Sequence, residues 1–113
     1  MLAREHRLTE RSDFERVYAQ GAFFGAPDVA LKVLRTPTRN LRIGFSVGKQ
    51  FSPQAVARNR MRRVLRAIMG ENISRIHSGA DVIVICRTRS GKIDSKSLRS
   101  QLEKLLQKAR LTA

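Results

Sequence analysis

The spacing of hydrophobic positions switches along the chain between helical and strand periods. Phe14, Val17 and Tyr18 fall at i, i+3 and i+4 and predict a short helix over 12–20. Ser12 is its expected N-cap, Glu15 completes a capping box, and Gly21 is the stop. Strand patterns follow. A short one is expected at Ala22–Phe24, and a β-rich run, Val29–Leu34, lies between Pro27 and the turn Thr36-Pro37-Thr38. Residues 42–47 alternate, with Ile43, Phe45 and Val47 on one side and Arg42, Gly44 and Ser46 on the other. That alternation predicts a sheet packed on one face and open on the other.

Ser52-Pro53 reads as the next helix start, with Ser as N-cap and Pro at the first helical position, and Gly70 as its end. Ala57, Met61, Val64, Leu65 and Ile68 make its apolar stripe. The uninterrupted run Val82–Cys86 predicts a strand covered on both faces. Leu98, Leu102, Leu105, Leu106 and Ala109 predict a final helix over about 95–110, with Asp94, Ser95 and Ser97 as candidate caps. The order α, two or three β, α, β, α is that of an α+β or split β-α-β domain. No repeat or linker divides residues 1–113, which read as a single domain with a flexible basic arm at 1–8.

Charge changes this picture most. The net charge is +14, and no acidic residue occurs between Asp28 and Glu71. That interval holds Lys32, Arg35, Arg39, Arg42, Lys49, Arg58, Arg60, Arg62, Arg63 and Arg66, which is +10 of the total. Arginine outnumbers lysine 17 to 6. The planar guanidinium binds phosphate bidentately and stacks on bases, so a nucleic-acid partner is favoured over simple solubility. Five arginines within 58–66 repel one another on one helix, and an anionic partner relieves that repulsion.

Other chemistry is poorly supported. There is no Gly-rich phosphate loop, and the carboxylates are scattered. His6 reads as an arm residue, His77 as a loop residue, and neither stands at metal-ligand spacing. Cys86 cannot pair internally and reads as a buried, inert thiol in a cytoplasmic protein. No apolar run approaches the ~20 residues needed to span a bilayer. No residue is assigned a catalytic role.

The segment Arg58-Asn59-Arg60, then Met61-Arg62-Arg63 and Leu65-Arg66, preceded by Ile43–Lys49, resembles the bacterial ribonuclease P protein component. Arg7-Leu8, Asp13-Phe14, Val17-Tyr18 and Gly21 resemble that family's N-terminal helix, and Asp81–Ile85 its fourth strand. The resemblance runs over roughly 7–110. It implies an α-β-β-β-α-β-α fold with a four-stranded sheet and a left-handed βαβ crossover, a fold shared with a domain of a small-subunit ribosomal protein.

The resemblance implies a partner, a catalytic RNA, and a substrate, precursor tRNA, whose 5′ leader the holoenzyme removes. Divalent metal, magnesium, would be held mainly by the RNA. The protein alone is expected to be monomeric, with no membrane or DNA partner. Arg58, Asn59, Arg60, Arg62, Arg63, Arg66 and Lys49 are implied to face the RNA subunit. Phe14, Tyr18, Lys32, Arg42 and Ser46 are implied to line a leader-binding cleft, although Phe14 and Tyr18 at i and i+4 also fit a core face. Gly48, Gln50, Pro53 and Lys32 depart from the usual family residues. A ribosomal or other structural RNA-binding protein is the alternative reading. DNA-binding and membrane-surface roles for the arginine helix fit less well.

Overall fold

The structure, a computed structural model, describes residues 3–37, 40–76, 79–89 and 91–112. The elements are α1 (Arg11–Gln20), β1 (Ala22–Gly25), β2 (Val29–Arg35), β3 (Leu41–Ser46), α2 (Ala55–Asn72), β4 (Ala80–Cys86) and α3 (Ser95–Lys108), with 3₁₀ turns at Arg4–His6 and Ile73–Arg75. The strands form one sheet in the order β1-β2-β4-β3. β1–β2 and β2–β4 are antiparallel, whereas β3 and β4 run parallel, with α2 in the crossover between them. This is the α+β arrangement that the hydrophobic pattern predicts.

Register sorts the side chains by face. Phe23, Lys32, Ile83 and Gly44 form one cross-strand row, and Leu34, Asp81 and Arg42 form the next on the same face. The opposite face carries Val33, Val82 and Ile43 in one row and Leu31, Val84 and Phe45 in another. Those residues join Met61, Leu65, Ile68 and Met69 of α2 and Leu98, Leu102, Leu105 and Leu106 of α3 in the main core. A smaller cluster of Leu8, Val17 and Ile83 packs α1 on the other face. β4 is therefore covered on both sides, as its continuous apolar run requires, and Ile83 and Val84 are both fully buried.

Several boundaries differ from expectation. Residues 6–8 of the expected flexible arm are docked, and Met1 and Leu2 lie outside the described residues. Leu8 is buried, its N–H donates to the Ile43 carbonyl, and His6 Nδ1 lies 2.7 Å from the Leu41 carbonyl oxygen. Residues 6–8 thus extend the sheet beyond β3, because the apolar Leu8 has a core site available. Ser12 does not cap α1. The Glu10 carbonyl accepts from Asp13 and Phe14, which starts the helix at Arg11. Ser52 caps a turn ahead of α2, accepting from Gln54 N–H, and Pro53 stays outside the helix.

Gly70 does not end α2. The helix continues two residues to Asn72, whose buried side-chain amide donates to the Ile68 carbonyl. A lone glycine weakens a helix by about 1 kcal/mol, which packing of Ile68 and Met69 readily overrides. Of the three candidate caps on α3, Asp94 is the one used, accepting from Ser97 N–H at 3.1 Å. Gly21 stops α1, with its N–H on the Val17 carbonyl. His77 lies outside the described residues, as does Thr38 of the expected turn.

Candidate nucleic-acid interface

The five arginines of α2 fall into two sets. Arg58, Arg62 and Arg66 recur every four residues and lie against the protein. Arg58 Nη1 donates to the Ser52 carbonyl at 2.9 Å. Arg62 donates to Asn59 Oδ1 at 2.7 Å and to the Val47 carbonyl at 3.3 Å. The Arg66 guanidinium carbon stands 5.5 Å from the centroid of Phe45. Arg60 and Arg63 are exposed and point along the rest of the polar face. Asn59 is thus a positioning residue, since its carbonyl oxygen orients one guanidinium. Lys49 is exposed in the turn after β3.

Arg62 and Arg66 reach a groove of about 270 Å³ that wraps the outer edge of β3. Its other walls include Leu8, Thr9, Phe14, Gly44 and Phe45. Phe14 is half-buried there, and its ring fills the space above Gly44 that a β-carbon would occupy. Tyr18, one turn on, is 41% exposed. The apolar anchor of α1 is Val17, fully buried, so neither Phe14 nor Tyr18 belongs to the deep core. The arginine surface and the aromatic surface, expected as separate, therefore share a wall: Arg62 and Arg66 stand across one groove from Phe14.

The remaining expected cleft residues are less open. Ser46 is half-buried in register with Ile85. Lys32 donates to the Gly21 carbonyl at 3.2 Å, bracing the end of α1. Arg42, expected on an open face, is engaged by carboxylates. It grips Asp81 through Nε (2.9 Å) and Nη2 (2.7 Å), and Asp13 through Nη1 (3.1 Å). Arg16 adds a second contact to Asp81 at 2.8 Å. The Asp81 hydrogen bonds hold the Arg42 guanidinium above its ordinary pKa, so it stays charged. The network clamps α1 to β3 and β4, and Asp81 itself is only 1% exposed. A hollow of about 560 Å³ beside it is lined by Arg16, Arg35 and Arg42, but the first and third are paired to aspartate, and Arg35 donates to the Ala109 and Arg110 carbonyls.

Gly48 and Gln50 are coupled. Gly48 has no β-carbon, and the Gln50 carboxamide folds into that space, with Cδ and Nε2 2.9 and 3.0 Å from where a β-carbon would sit. The groove residues that sequence alone did not single out are Phe45, Thr9 and the docked Leu8. Phe45 alternates with the core residues Ile43 and Val47, and only the edge position of β3 turns it to the rim.

The family model described as Ribonuclease P matches residues 2–110. The chain belongs to the ribonuclease P protein family. A ribonuclease P protein component from Pseudanabaena is 37% identical over 112 residues, covering 98% of this chain and 97% of that relative. One from Lactobacillus delbrueckii is 32% identical over 102 residues, covering 89% and 84%. Among solved structures, the Staphylococcus aureus RNase P protein superposes with a TM-score of 0.84 at 26% identity, covering 96% of this chain and 98% of that one. The Thermotoga maritima protein gives 0.80 at 26% identity, covering 90% and 96%. The family's mixed four-stranded sheet with three helices is the architecture described above.

Proposed function

We propose that this chain is the protein subunit that, with a catalytic RNA, removes the 5′ leader from precursor tRNA. One observation carries the division of labour: the groove in which Arg62 and Arg66 face Phe14 across Gly44 and Phe45. Arginines there engage phosphates, while an accessible ring offers a face to any base. Base stacking is tolerant of sequence and contributes about 1–3 kcal/mol per base, which suits leaders of varied sequence. Arg60, Arg63, Arg58 and Lys49 extend the basic surface outward to the structured RNA, where phosphate contacts dominate affinity. Arg42 acts at one remove, by fixing α1 and with it Phe14 and Tyr18.

The chemistry of strand cleavage belongs to the RNA in this reading. Among the described residues no three His, Cys, Asp or Glu side chains gather into a metal-binding set. In this reading magnesium is held by the RNA, and the protein's part is to bind and orient. Among the described residues no helix is long and apolar enough to cross a membrane. The proposed setting is the cytoplasm, with the free protein a monomer. Reconstitution tests the reading. The purified chain alone should not cleave precursor tRNA, and at low magnesium it should restore cleavage at the mature 5′ end by a bacterial ribonuclease P RNA. Co-sedimentation with ribosomes and no stimulation of that RNA would favour the structural RNA-binding alternative.

A further inference from the structure

Phe23 is 55% exposed and sits on β1, the free edge of the sheet. A single exposed aromatic is unremarkable. Three further observations mark this one. Register pairs Phe23 directly with Lys32, in the row that ends at Gly44 under the Phe14 ring. The Arg87 guanidinium carbon lies 5.8 Å from the Phe23 centroid, and its Nη1 is held by the Ala26 carbonyl at 3.0 Å. Gly25 leaves the space that this pair occupies, since a β-carbon there would stand 2.7 Å from Arg87 Nη1 and 2.9 Å from Phe23 Cε2.

We infer that Phe23 and Arg87 form a stacking site for one base of single-stranded RNA, at the edge of the sheet opposite Phe14. The inference rests on the proposed leader-binding function and extends its path. Arg87 orients the ring, and the fixed guanidinium adds positive charge where a backbone phosphate passes. Lys32 supplies a second cation in the adjoining strand. Phe23 and Gly44 are separated by three strand spacings, about 14 Å, with α1 packed over the buried Ile83 between them, so an RNA strand leaving the Phe14 groove meets the Phe23 ring after passing over α1. An arginine–phenylalanine pair with a purely structural purpose contributes only about 0.5–1 kcal/mol at an exposed site, and it does not require the ring to stay open to solvent.

The test uses the full chain and a single-stranded RNA decamer carrying 2-aminopurine, whose fluorescence is quenched on stacking. The intact protein should bind and quench. Phe23→Ala should bind about tenfold more weakly with less quenching, and Phe23→Trp should restore both. Arg87→Ala should weaken binding about two- to fivefold. All variants should keep the parental unfolding temperature, because the altered groups lie at the surface. Wild-type affinity and quenching in Phe23→Ala would overturn this site, as would wild-type affinity and quenching in Phe23→Leu. Failure of the intact protein to bind, or indifference to Phe14→Ala in the same assay, would instead remove the leader-binding reading on which it rests.

Discussion

The ring of Phe14 rests on the α-carbon of Gly44, so closely that any β-carbon at residue 44 would overlap it. This contact ties the exposure of an α1 aromatic to the smallness of one β3 residue. Gly44→Ala should push Phe14 out of the groove and cost about 1–3 kcal/mol, the usual range for overpacking. Urea unfolding measures the stability loss. A leader-bearing precursor should lose more affinity than mature tRNA, and equal losses for both would mean that the Phe14 position does not govern leader contact.

Asp81 is the buried hub between Arg42 and Arg16. Asp81→Asn removes the charge and sets an amide donor against guanidinium donors. Breaking a buried pair in this way costs about 3–5 kcal/mol, and the partial exposure of both arginines places the expected loss near the lower end. The urea midpoint should fall accordingly. A loss below about 1 kcal/mol would show that α1 is held by Val17 and Leu8 packing alone.

Arg60 and Arg63 project from α2 into solvent, whereas Arg62 and Arg66 also brace the fold. The double change Arg60→Ala, Arg63→Ala should leave stability within about 0.5 kcal/mol. It should lower the slope of log affinity against log salt by about two, one unit per lost phosphate contact. Arg62→Ala and Arg66→Ala should reduce both affinity and stability. An unchanged salt slope in the first double variant would remove Arg60 and Arg63 from the RNA contact.

Burial pushes the Cys86 thiol above its ordinary pKa, outweighing the opposing backbone hydrogen bond at Thr88. A raised thiol pKa means less thiolate at any neutral or mildly alkaline pH. A disulfide exchange reagent at pH 8 should therefore react far more slowly with the folded protein than with the same chain in denaturing urea. Comparable rates in the two conditions would place Cys86 at the surface.

Most of the fold was legible because burial and hydrogen bonding left period-two and helical signatures. Val82–Cys86 predicted a doubly covered strand, and the Met61–Leu65–Ile68 stripe predicted the core face of α2. Helix ends were harder. A carbonyl such as that of Glu10 starts a helix as well as a serine does, and an isolated Gly70 cannot stop one whose next turn has packing to gain. The site was legible as residue types and not as neighbours. That Arg62 and Arg66 meet Phe14 depends on β3 being an edge strand, which spacing alone does not encode. Arg42 carried the same sequence signal as the open arginines, because its partner Asp81 lies far along the chain. Phe23 and Arg87 come together only through the β1-β2-β4 order.

The position of β4 also bears on how the protein is made. It pairs with both β2 and β3, and Val29 meets Cys86 across the sheet. Until residue 86 has left the ribosome, β2 and β3 have no strand between them and Arg42 has Asp13 but not Asp81. The arginine helix is therefore synthesised before the strand that completes its support. Such long-range closure slows folding and leaves apolar edges unpaired in the interval. A nascent chain of this protein passes through a stage with most of its charge and none of its finished sheet, when an RNA could hold it before it has its shape.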